Sequence, residues 1–142
     1  MIYIDADACP VKEETYRVAE RHDLPVTVVT NRPMRIPAHV QLVVVEARID
    51  EADDWIAEHV APGDIVIATD IPLAARCVEG GAEVLTPTGK RYDARNIGPA
   101  LATRDLMTQL RDLGTIGGGP APFSDQDRAR FLEKLELLCR HT

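Results

Sequence analysis

Five short runs rich in valine and isoleucine, at 2–4, 26–30, 42–45, 64–68 and 82–85, are separated by stretches with helical spacing. The runs are nearly continuous in apolar residues instead of alternating, which is the pattern of strands covered on both faces. Strand and helix taking turns along a chain predict a parallel sheet with helices packed on each side. The expected fold is α/β, three layers (α/β/α) around a central, mostly parallel sheet. A chain of 142 residues is long enough for one such core. One domain is therefore expected over 1–142, with the sheet and its helices in 1–86 and a basic turn and further helices in 87–142.

The helices have their own signals. Pro10 opens the first, where a missing N–H costs nothing, and Val11, Thr15, Val18 and His22 give it an inward stripe. A second begins near Asp50, with Ala52, Trp55, Ile56, His59 and Val60 along one side. The third spans 71–79 and stops at Gly80-Gly81. Residues 86–92 read as a turn and 98–113 as helix, and Gly117-Gly118-Gly119-Pro120 breaks the chain. Ser124 with Asp127 three positions later has the capping-box spacing of a final helix.

Acidic residues stand where the strands end. Asp5 and Asp7 follow the first strand, Asp70 the fourth, and Asp50, Glu51, Asp53 and Asp54 open the helix after the third. In an open parallel sheet, sites form in the crevice beyond the carboxyl ends of the strands. Seven carboxylates would thus share one edge. They also account for the net charge: the chain has 16 basic and 23 acidic residues, and without these seven the two are equal. Like charges a few ångströms apart repel by roughly 1–4 kcal/mol per pair, so the grouping calls for a hard divalent cation, Mg²⁺ or Mn²⁺. Such a cation points to phosphoryl chemistry.

Each acid has a plainer explanation. Asp50 and Asp53 have capping-box spacing, Asp7 can cap the first helix and Asp70 the third, and any one of them is as well explained by capping as by chemistry. Capping does not explain aspartates at three strand ends on one edge. On a helical wheel Asp53 borders the apolar stripe while Asp54 points away, which favours Asp53 as ligand and leaves Glu51 on the opposite border.

Glu51-Ala52-Asp53-Asp54 and Ala68-Thr69-Asp70 resemble the metal-binding helix start and strand end of the PIN-like and 5′-nuclease superfamily. More closely, the stretches 5–10, 52–54, 64–74 and 118–120 resemble the small bacterial YaiI/YqxD-like family, over essentially the whole chain. The resemblance implies a PIN-like fold, with Asp5, Asp53 and Asp70 as ligands and Asp7, Asp50, Glu51 and Asp54 as further candidates. It also shows a departure: Pro72 stands where 5′-nucleases have another aspartate, which removes a ligand for a second metal.

A nuclease site needs cations to position phosphates. Asn31, Arg32 and Arg35 follow the second strand and are expected at the acidic edge; Lys90, Arg91 and Arg104 form a second basic stretch. For each of these, a solvated surface charge is the competing explanation. Aromatic residues do not interleave with the basic ones, so no stacking platform for single strands is indicated. The charge of −7 excludes a protein that coats DNA or lies on a membrane by excess positive charge. The three cysteines form no CxxC pair, as expected of free thiols, with Cys9 packed under a helix start, and the four histidines lack zinc-ligand spacing. With no basic region and long apolar run at the start, and no apolar run near ~20 residues, a cytoplasmic protein without membrane spans is expected.

The leading expectation is a metal-dependent nuclease or phosphodiesterase acting on RNA or DNA, with Asp5, Asp7, Asp53 and Asp70 as its reacting acids. Two others compete. One is a scaffold of the same fold that binds RNA or protein without turnover. The other is a haloacid-dehalogenase-type phosphatase, which Asp5-x-Asp7 and Thr30 resemble, although Lys90 follows Asp70 where those enzymes have a lysine before their final acids.

Overall fold

The computed structural model describes residues 1–7, 9–114 and 122–141. Its elements are β1 (Ile2–Asp5), α1 (Lys12–Arg21), β2 (Val26–Thr30), β3 (Val40–Val44), α2 (Glu51–His59), β4 (Ile65–Ile67), α3 (Ile71–Glu79), β5 (Glu83–Leu85), β6 (Arg91–Tyr92), α4 (Ile97–Asp112) and α5 (Asp125–Arg140). One sheet runs in the order β3-β2-β1-β4-β5-β6. All neighbours are parallel except β5 and β6. This is the three-layer α/β/α plan expected from the runs of valine and isoleucine.

Alternate residues of the buried strands define the two faces, because successive side chains of a strand point to opposite sides. Ile2, Ile4, Ile65 and Ile67 pack with Val18 and Ala19 of α1 and with Phe131 and Leu135 of α5. Tyr3, Val66 and Val84 pack with Ile56 of α2, Leu73 and Cys77 of α3, and Ile97 and Ala100 of α4. The last helix is therefore part of the core: Phe131 and Leu135 are fully buried.

Three local features differ from the sequence reading or refine it. Helix α1 begins at Lys12, not Pro10; Val11 has φ −118° and ψ 27°, outside helical values. Its fully buried side chain anchors the chain before the first turn. Within the expected turn, residues 91–92 form β6. The Thr86 N–H donates to the Lys90 carbonyl at 2.8 Å, and Gly89 has φ +90°. Any side chain at Gly89 would sit 2.7 Å from Arg130 Cβ, so glycine lets the hairpin meet α5. The Ser124–Asp127 capping box is formed in both directions. The Gly117-Gly118-Gly119-Pro120 stretch lies outside the described residues. Among the described residues, no helix is long and apolar enough to cross a membrane.

Candidate functional site

Asp5 is the last residue of β1, with β2 on one side and β4 on the other. This position buries it to 9% exposure. Burial, then Asp53, Asp7 and Asp70, push its carboxyl up to about 6, partly offset by a hydrogen bond from the Asp7 backbone N–H. Desolvation and like charges both disfavour the ionised form, so the two causes add.

Asp53 lies in the first turn of α2 and is half-buried. Its carboxyl is also raised, by burial first and then by Asp70 and Asp50, while Arg76 acts the other way. Asp70 ends the β4 segment and caps α3: its Oδ2 accepts from the Leu73 N–H at 3.2 Å. Pro72 sits in the first turn of that helix, where a proline fits because its N–H would have no partner. The capping explanation thus holds for Asp70. It does not hold for Asp50, which makes no side-chain cap bond and has φ +66°, or for Asp7, since α1 has no side-chain cap.

A cavity of ≈ 500 Å³ opens at this edge. Asp5, Asp7, Asp50 and Asp53 line it, together with Lys12, Asn31, Arg32 and Arg48 and an apolar wall that includes Pro33, Met34 and Ile49. Four expected acids and two expected phosphate contacts, Asn31 and Arg32, therefore meet in one place. Asp70 is not in the lining but its charge reaches Asp5 and Asp53.

Other expected residues go elsewhere. Asp54 is drawn to Arg76 at 2.7 Å. Glu51 and Arg35 are outside the lining, and Arg35 is exposed. Lys90 and Arg91 are carried by the hairpin to the far edge of the sheet, three positions from β1. There Lys90 stacks over Tyr92 at 5.4 Å, and the Arg91 Nη2 donates to Glu83 at 2.7 Å. Arg104, on exposed α4, faces Asp105 at 3.4 Å. The second basic stretch is thus separated from the acids, because β6 turns back antiparallel beyond β5. Thr30, part of the phosphatase reading, does line the cavity, and its hydroxyl donates to the Arg32 carbonyl at 3.1 Å.

Sequence reasoning missed Lys12, Arg48 and Arg76. Lys12 opens the helix that follows Asp7, and Arg48 stands two residues before Asp50 in the same loop. Both flank acids of the same edge in sequence, but each is a lone cation and neither belongs to a basic stretch such as 32–35. Cys9 is buried and its thiol raised by burial, Cys77 is pushed up to about 12, and Cys139 to about 11. These are packed thiols, not nucleophiles. His22 bonds Glu136 at 2.8 Å and His59 stacks on Trp55 at 3.7 Å, both away from the cavity lining.

Among the described residues, no three His, Cys, Asp or Glu side chains are gathered closely enough to hold one metal ion. The donors at the cavity are oxygens, and two of them are destabilised by like charge. That chemistry suits a hard cation that keeps several waters and takes only one or two carboxylates, as Mg²⁺ usually does.

The chain resembles other proteins over nearly its whole length. A UPF0178 protein of Rhodopseudomonas palustris (strain BisB5) is 55% identical over 141 residues, covering 98% of this chain and 86% of its own. A UPF0178 protein of Azorhizobium caulinodans is 56% identical over 138 residues, 96% of this chain and 87% of its own. One of Brucella ovis is 54% identical over 139 residues, 96% and 86%. No solved structure matches the chain significantly. The model of the family described as "Uncharacterized BCR, YaiI/YqxD family" matches residues 3–141, so the chain belongs to the YaiI/YqxD family.

Proposed function

We propose that the cavity beyond β1 is the site of a divalent-cation-dependent phosphodiesterase of PIN-like type, acting on RNA or DNA. The observation that supports it best is Asp5: a buried carboxylate at a strand end, raised to about 6, surrounded by Asp7, Asp53 and Asp70 and without a basic partner among the described residues. Such a carboxylate has a use only if something positive or protic meets it.

Asp5 and Asp53 would hold Mg²⁺ or Mn²⁺, with Asp7 and Asp50 lining the same cavity. The cation supplies a more acidic bound water and neutralises charge on the phosphate. The protein does the rest. Asp7 orients the attacking water, and Asn31 and Arg32 hold phosphate oxygens, Arg32 by its two-pronged donor geometry. Asp70 fixes the start of α3 and adds negative field at Asp5.

The test is hydrolysis of end-labelled RNA and DNA oligonucleotides with Mn²⁺. Asp5→Asn is expected to reduce cleavage by about a hundredfold or more, the scale of losing a main charge-stabilising group. Arg104→Ala should leave it unchanged. Cleavage that survives Asp5→Asn overturns the assignment. The helix-cap bond of Asp70 favours a second reading, oligonucleotide binding without turnover, which predicts retention of RNA with no product at any Mn²⁺ concentration.

A further inference from the structure

Ile49 is 91% exposed, yet it lines the cavity beside Met34 and Pro33. It is held between Arg48 and Asp50, and Asp50 takes a left-handed φ of +66°. Aspartate is one of the few residues besides glycine that adopts this conformation, and here it turns the chain directly after Ile49. Ile49, Met34 and Pro33 thus add apolar surface to a cavity lined mainly by charged and polar residues.

Two of the three cations in the lining, Lys12 and Arg32, have no ion-pair partner among the described residues. Lys12 Nζ donates to the Cys9 carbonyl at 2.7 Å, and Arg48 pairs with Glu46 at 2.7 Å. A ligand that matches such a lining carries an anionic group beside a flat apolar face. Nucleotides have that division.

We infer that the cavity seats one unpaired nucleobase against Ile49 and Met34 while Arg32 holds the phosphate of the same nucleotide, a reading that rests on the phosphodiesterase assignment above. A volume of ≈ 500 Å³ falls within the range of pockets that enclose a small ligand. A base within a duplex has its faces stacked and can reach such a surface only after leaving the stack. Ile49 and Met34 thus act as positioning residues, setting which phosphodiester faces Asp5.

Calorimetric titration of the full chain in Mn²⁺ with adenosine 5′-monophosphate and with ribose 5-phosphate separates the two halves of the ligand. The wild type should bind the nucleotide more tightly than the sugar phosphate. Ile49→Ala should weaken the nucleotide about fivefold, as burial of part of an isoleucine side chain implies, and change the sugar phosphate by less than about twofold. Arg32→Ala should weaken both about tenfold. Because Ile49 is exposed, Ile49→Phe is a second variant that folds and should restore nucleotide affinity. Equal affinity for the two probes, an unchanged nucleotide affinity in Ile49→Ala, or no binding of the nucleotide overturns the inference. The outcome is independent of turnover. A base seat found in a protein that cleaves nothing removes the phosphodiesterase and keeps the seat; cleavage lost in Asp5→Asn with an Ile49-insensitive affinity does the reverse.

Discussion

Two buried carboxylates divide the molecule into two regions with different purposes. Glu14, on α1, is 5% exposed and Asp5, at the end of β1, is 9% exposed. Glu14 lies in the seam between α1 and α5, where Arg128 forms an ion pair with it. Close by, Arg21 and His22 both meet Glu136, at 3.0 Å and 2.8 Å. Asp5 faces other acids instead. Burying a charge is costly unless it is paired, and only the seam supplies the partner. The seam holds the fold together, whereas the edge of the sheet retains a repulsion that folding alone does not relieve. Stability and site are therefore expected to respond differently to the same kinds of change.

The largest difference should come from packing. Phe131→Ala removes a fully buried ring that joins α5 to the sheet. It should lower unfolding free energy by about 3–5 kcal/mol in urea titration. An equally large substitution effect at the edge, for example from Asp5→Asn, would break the contrast. Added Mn²⁺ acts in the opposite direction. At a hundred times its dissociation constant a bound ion stabilises by about 2.7 kcal/mol, which scanning calorimetry reads as a higher Tm. Arg128→Ala should keep that increment and Asp5→Asn should lose it.

The pH dependence sharpens the same comparison. The folded Asp5 carboxyl is raised to about 6, so the folded state holds its proton more tightly than the unfolded chain. Its contribution is fully present below about pH 4 and lost as pH rises through about 6, a loss on the order of 3 kcal/mol. The raised Asp53 carboxyl has the same sign. Measured as the difference between wild type and Asp5→Asn, stability of the wild type should fall from pH 4 to pH 7 when no divalent cation is present. A flat difference would mean that Asp5 is not strained. The smallest effect is expected from Asp54→Asn. Its pair with Arg76 is about half exposed on both sides, and such pairs contribute roughly 0.2–1 kcal/mol in chemical unfolding.

The layer plan was legible because period and composition are local signals: runs such as 26–30 are short and made only of β-branched valine and threonine, which favours strands. The acids at strand ends were legible for the same reason, since a topology of parallel strands places their carboxyl ends together. Residues 91–92 were not, because a two-residue strand has no period; the hairpin is defined by Gly89 and by the approach of Arg130. That pairing is also why Lys90 and Arg91 lie far from the acids, at the other edge of the sheet. The C-terminal segment reads as an addition to the sheet, but Phe131 and Leu135 lie within its core. Amphipathic spacing shows that a helix has a buried face and says nothing of what covers it.

By itself, the order of residues determined which segments become strands, which become helices, and that aspartates follow the strands, since each depends on neighbours within a few positions. Only the tertiary structure decided how carboxylates other than the helix-capping Asp70 are answered: Glu14 by Arg128, Asp54 by Arg76, and Asp5 by further negative charge. Charge interactions act through space and depend on burial, and neither distance nor burial is written in sequence separation.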